Sequence, residues 1–142
     1  MANIIPDAFK EELLKGTHNF ASSGGDSFKL ALYTDISGLS TSTTAFTATN
    51  EVSTSGTNYT SGGNALTNSG VSVASNTAFI DFADLTFSSV TLSAVGAMIY
   101  NDDNSDKICL ILDFGGTKTA TNGDFIIQFP AAGASTAIFR IA

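Results

Sequence analysis

At 142 residues the chain has the length of one domain and can bury about two-thirds of its unfolded surface without disulfide or metal staples. Its net charge is -7, and its six basic residues (Lys10, Lys15, Lys29, Lys107, Lys118 and Arg140) are scattered, which argues against nucleic-acid binding and against attraction to anionic membranes. With Cys109 as the only cysteine an intrachain disulfide is excluded, and with eleven Phe beside abundant Ile, Leu and Val the chain is not a disordered one.

The opening Met-Ala-Asn-Ile-Ile-Pro has neither a basic stretch nor a long apolar run, so the expectation is synthesis and folding in a cytoplasm. No segment approaches the length of a transmembrane helix. Residues 6–15 predict one short helix within an N-terminal helical segment, 1–20. Pro6 and Asp7 start it, Phe9 and Leu13 share a face, and Gly16 stops it. A helix this short must dock on its own sheet or on a partner.

After Ser-Ser-Gly-Gly-Asp at 22–26, residues 28–34 alternate: Phe28, Leu30 and Leu32 on one side, Lys29, Ala31 and Tyr33 on the other. This predicts a half-buried strand. Residues 35–63 are dominated by Ser, Thr, Gly and Asn, which predicts an extended functional loop or two weak strands around Phe46 and Val52. The second half predicts a meander of strands over 71–74, 78–87 with a bulge, 92–100, 108–114, 124–129 and 138–141. Gly96 implies close approach to another layer. A polar turn covers 101–106, and Asn122-Gly123 is a hairpin turn signal. Apolar residues on both faces of the last strands fit two packed layers. The fold class expected is mainly β, an antiparallel, jelly-roll-like β-sandwich with one short helix, as a single domain over 1–142.

Candidate chemistry is thin. His18, the only histidine, follows the helix exit, where capping carbonyls is favoured over general-base work. Asp102-x-Asn104-x-Asp106 has the spacing of the first three ligands of a calcium loop. Lys107, however, replaces the sharp-turn glycine, and Asp113 replaces the twelfth-position Glu inside a strand. The expectation for Asp102, Asp103 and Asp106 is a solvated turn. Asp81 and Asp113 interrupt apolar strands, either as a carboxylate pair on neighbouring strands or as parts of polar outer faces. Neither Gly62-Gly63 nor Gly115-Gly116 opens a phosphate-binding helix. No catalytic residue, cofactor site or metal site is expected.

The stretch 50–66 is the most informative. Glu51 and Val52 open it, Tyr59 lies in its middle, and Gly56, Gly62 and Gly63 permit positive-φ turns before Ala65 and Leu66. Asn-Glu-Val…Gly-x-x-Tyr-Thr-x-Gly-Gly-x-x-Leu resembles a segment of small tailed-bacteriophage virion proteins. Those also have a short N-terminal helical stretch before it and a β-rich body after it. The resemblance extends over 28–34, 94–100 and the Asp113-Phe114-Gly115 to Asn122-Gly123-Asp124-Phe125 region. It implies a non-enzymatic capsid decoration, or cement, protein on the outer surface of the virion. Such a protein works as a trimer bound to the major capsid protein, with no nucleic-acid or membrane partner. Contacts are expected from residues 2–14 and 36–63, mobile before assembly. The alternatives are a head–tail connector, tail or fibre-base protein, and a carbohydrate-binding β-sandwich using Tyr33, Tyr59 and Tyr100.

Overall fold

A computed structural model describes residues 2–142. The chain forms one helix, α1 (Asp7–Leu14), and seven strands: β1 (Phe28–Tyr33), β2 (Asn64–Ala65), β3 (Asn68–Ala74), β4 (Thr77–Phe82), β5 (Leu85–Asn101), β6 (Lys107–Ile127) and β7 (Phe139–Ile141). They make two antiparallel sheets, one of order β2-β1-β5-β6 and one of order β3-β4-β7. The expected mainly β, sandwich-like architecture with one short helix and a long loop is what forms. Leu30 and Leu32 from the larger sheet share one apolar core with Ile80, Phe82 and Phe139 from the smaller.

Helix α1 ends as its sequence predicts. Gly16, at φ 72°, turns the chain, and the Gly16 and Thr17 amides donate to the Leu13 and Glu12 carbonyls. Phe9 is fully buried on His18, Phe20 and Phe139. The buried face is set by Phe9 and Glu12 rather than by Phe9 and Leu13.

Strand β1 is not half-buried. It is central, between β2 and β5, and its Ala31 and Tyr33 face is covered as completely as its Leu30 and Leu32 face. The cover is a second apolar cluster, in which Ile36 and Leu39 of the long loop pack with Tyr33, Met98, Tyr100, Ile108 and Ile111. The loop at 35–63 stays irregular, touching the sheet through isolated bridges at Tyr33↔Glu51 and Ala45↔Lys107. At Gly96 the loop lies close against the sheet: a β-carbon there would stand 2.8 Å from Ile36 Cγ2. This is the close layer contact that its position implies.

Strand β2 is unexpected and β3 starts at Asn68, before the expected 71, but two differences alter the course of the chain. Residues 78–87 are not one bulged strand, because the chain leaves the smaller sheet after Phe82 and enters the larger at Leu85. Asp84 fixes that crossing by accepting the Phe129 amide at 2.9 Å. Asn122-Gly123 is not a hairpin turn. Asn122 does take φ 46°, but β6 runs on through it, and the extra residue is absorbed as a bulge opposite Val90 and Leu92. Thr91 Oγ1 accepts the Asn122 amide at 2.9 Å, holding the bulge in the sheet. The β5–β6 hairpin turns at 102–106, where the polar turn was expected.

Candidate functional site

Three places stand out, two that gather polar side chains and one apolar cleft. The first lies under α1. Glu12 comes from the helix, His18 and Asp26 from the connection to β1, Asn101 from the end of β5, and Lys107 and Cys109 from the start of β6. The His18 side chain is fully buried, with Nε2 at 2.8 Å from Glu12 Oε2 and Nδ1 at 3.0 Å from Asn101 Nδ2. Because an amide nitrogen only donates, Nδ1 is the acceptor, and Nε2–H donates to the carboxylate. Asn101 gives its other hydrogen to Asp26 Oδ2 at 2.7 Å and accepts the Asp103 amide at 3.1 Å. Asp26 Oδ2 also accepts from the Asn19 amide and from Asn104 Nδ2. Lys107 donates to Glu12 Oε1 at 2.8 Å. His18 therefore holds the side chains of Glu12 and Asn101 and does not cap the helix's carbonyls, the role its position after the helix exit predicts.

Cys109, His18 and Glu12 have the residue types of a nucleophile–base–orienter set. The sulfur lies 3.9 Å from His18 Nδ1, but Asn101 already uses that lone pair. Cys109 is 1% exposed, and burial pushes its thiol well above the ordinary range. A substrate could not reach it, and the thiolate is disfavoured. The cluster instead anchors the helix. Burial alone would raise the Glu12 carboxyl, but hydrogen bonds from Lys107 and His18 overcome it and the net shift is downward.

The second place is the 50–66 segment. Glu51 Oε1 accepts from the Tyr59 hydroxyl at 2.8 Å and from the Gly62 amide, and Oε2 accepts from Ser61 at 3.0 Å. Tyr59 in turn accepts the Leu32 amide at 3.0 Å, tying this knot to β1. Gly63, at φ +76°, passes so close to β1 that a β-carbon would fall 1.8 Å from the Leu30 carbonyl oxygen. The hydroxyls of Tyr33 and Tyr100 bond the Thr47 and Gly62 carbonyls, both at 2.6 Å. The three tyrosines thus fasten the long loop. All are buried, so none presents a ring face to a sugar.

The turn at 102–106 sends its polar groups apart. Asp102 pairs with Lys29 at 3.2 Å, Asp103 accepts the Ser27 amide at 2.6 Å, and Asn104 reaches Asp26. Among the described residues no three His, Cys, Asp or Glu side chains converge to hold a metal ion. Asp81 and Asp113 are not neighbours, since Asp81 pairs with Gly70 in the smaller sheet and Asp113 with Gly96 in the larger. No described helix is long and apolar enough to cross a membrane.

The third place is a cleft of about 510 Å³ along the lower half of β6, lined by Phe114, Phe125, Ile127, Phe129 and Ile138, with Lys118 and Asp124 also in its wall. Its volume lies in the range of ligand and peptide sites, and its lining is mostly apolar. The sequence missed it because its walls come from one long strand and the segment after it, which meet only in the fold. Glu12, Asn101 and Asp26 were missed too. The available signal was Glu12 at i+3 from Phe9, a carboxylate on the apolar face of the helix. Compared with known proteins, the chain matches no family model, no curated protein and no solved structure.

Proposed function

We propose that this is a non-enzymatic virion structural protein of a tailed bacteriophage, a capsid decoration protein that binds the major capsid protein on the outside of the head and works as a trimer. The observation that carries this reading is the knot of Glu51, Tyr59, Ser61 and Gly62. The residues on which the resemblance rests act together as one unit that shapes the long loop. The clustered polar side chains hold helix, loop and turn to the sheets, which favours a rigid binding body over a catalyst. Most apolar side chains of the two elements expected to make contacts cover the protein's own sheet: Ile4 bridges to Ile111, and Phe9, Ile36 and Leu39 are buried. Contact with a shell therefore falls to their outer residues, chiefly Leu14, which is 92% exposed, and the exposed Ser and Thr at 40–42. The extensive tethering of the loop also argues against mobility before assembly. Three copies on one shell position would multiply weak single-site binding.

The test is attachment of the purified protein to capsids that lack it. Saturable binding, weakened by Leu14→Asp and Ser42→Arg with the fold intact, supports the reading. A protein that leaves bare capsids unoccupied overturns it. Copy number separates the connector, tail or fibre-base reading: decoration needs on the order of hundreds of copies per particle, a connector or tail ring about ten.

A further inference from the structure

The cleft opens where the two sheets are unequal. The larger sheet ends on β6 and the smaller on β7. Along the cleft β6 pairs only with β5, and β7 pairs only with β4. Four strands over three leave part of the inner face of β6 without an opposing strand. At the upper end helix α1 packs over β6 and sets Phe9 on Phe139, ring centres 5.2 Å apart. Below the helix Phe114, Phe125 and Ile127 line the cleft together with Phe129, Pro130 and Ile138 of the segment that follows β6.

Backbone and charge together specify what fits there. An extended segment laid beside β7 meets a free strand edge, which offers main-chain hydrogen bonds, while every second side chain turns into the cleft. Charge then selects the sequence of that segment. Lys10, Lys15, Lys29 and Lys107 are paired with Asp7, Glu11, Asp102 and Glu12. Among the described residues the remaining cations, Lys118 in the cleft wall and Arg140 on β7, have no carboxylate in salt-bridge range. The one acid in the lining, Asp124, is engaged through Oδ1 by the Ser89 amide at 3.1 Å. Sheet edges are also free at β2, β3 and β6, but in a chain of net charge -7 one unpaired cation, Lys118, stands in the cleft wall and the other, Arg140, lies on β7 just beyond Ile138 of the same lining.

We infer that the cleft receives an extended acidic–apolar segment of a protein partner. It adds to the smaller sheet beside β7, sets alternate apolar side chains against Phe114 and Phe125, and brings carboxylates to Lys118 and Arg140. This stands apart from the virion reading, because it uses neither the long loop nor the N-terminal segment.

The experiment titrates the intact protein with a short capped peptide in which Val alternates with Thr and Glu, followed by backbone amide shifts. The same peptide with Lys in place of Glu is the comparison. Saturable shifts confined to residues 112–129 and 138–141 are expected, with the acidic peptide about tenfold tighter from two charge pairs. Lys118→Glu with Arg140→Glu, both exposed, should abolish that preference. Absence of saturable binding, equal affinity for the two peptides, shifts elsewhere, or a preference that survives both substitutions would each overturn the inference.

Discussion

The two halves of the β5–β6 hairpin are built differently. From Gly96 to Asn101 and from Ile108 to Leu112 every residue is buried, whereas from Leu85 to Ala94 and from Asp113 to Ile127 buried and exposed residues are interleaved. The upper half is packed on both faces, by the shared core on one side and by Ile4, Ile36, Leu39 and Phe46 on the other. The lower half has one packed face, and its register is broken at several bulges. A continuous apolar run such as Ile108-Cys-Leu-Ile-Leu112 therefore marks a strand with layers on both sides. Here the second layer is a Ser/Thr-rich loop without a strand of its own. An irregular segment can cover a sheet when its few apolar residues are placed on it and its backbone is tied down by side-chain hydroxyls.

The sharpest test of that difference compares one methyl-rich side chain from each half. Ile111 is fully buried in the upper half, and Ile126 is 59% exposed in the lower. Ile111→Ala should cost about 2–5 kcal/mol, the lost transfer free energy plus a cavity between two packed layers. Ile126→Ala should stay within about 0.5 kcal/mol. Urea unfolding of both variants measures it, and equal losses would mean that the loop does not act as a second layer.

The loop's fastening sharpens the comparison next. Gly63→Ala places a β-carbon on the Leu30 carbonyl at a positive φ, so either the loop or β1 must shift. The expected cost is about 1–3 kcal/mol, with amides at 50–66 losing exchange protection first. Tyr59→Phe keeps the ring against Phe87 but removes the hydroxyl between Glu51 and Leu32. Because it leaves a buried amide and a carboxylate oxygen short of a partner, it should cost about 1–2 kcal/mol. Protection that falls uniformly over the whole chain would show that the loop is not a separable layer.

The helix, β1 and the 102–106 turn were legible in the sequence because each is set by local chemistry: a cap, an alternation, a cluster of Asp and Asn. The Asn122-Gly123 signal misled because a positive φ at Asn serves a bulge as well as a turn, and only the pairing partner decides between them. The burial of Ala31 and Tyr33 was not legible either, since period-2 alternation of large and small residues looks half-exposed whenever the covering layer lies elsewhere in the chain. The cluster under α1 draws on four separate segments, and nothing in any one of them shows that Glu12 and Asn101 will meet around His18.

The smallest effect belongs to pH, and it separates the polar anchoring of α1 from the apolar anchoring of the upper hairpin. The Glu12 carboxyl is held below its ordinary value of 4.5 although burial pushes it up, because the bonds from Lys107 and His18 outweigh that cost. The opposition of these contributions keeps the net effect modest. A carboxyl whose folded value is depressed contributes stability that is fully present above its unfolded value. That contribution is lost as pH falls through the folded value. Protonated Glu12 would keep at most one of its two acceptor roles toward Lys107 and His18, and the helix would be held mainly by Phe9. The stability difference between the natural protein and Glu12→Gln should therefore be constant from neutral pH down to about 4.5 and shrink below it. Urea titrations of both proteins at neutral and acid pH measure it, with amides of 7–18 followed separately. A difference that stays the same at acid pH would show that the Glu12 charge plays no part in docking the helix.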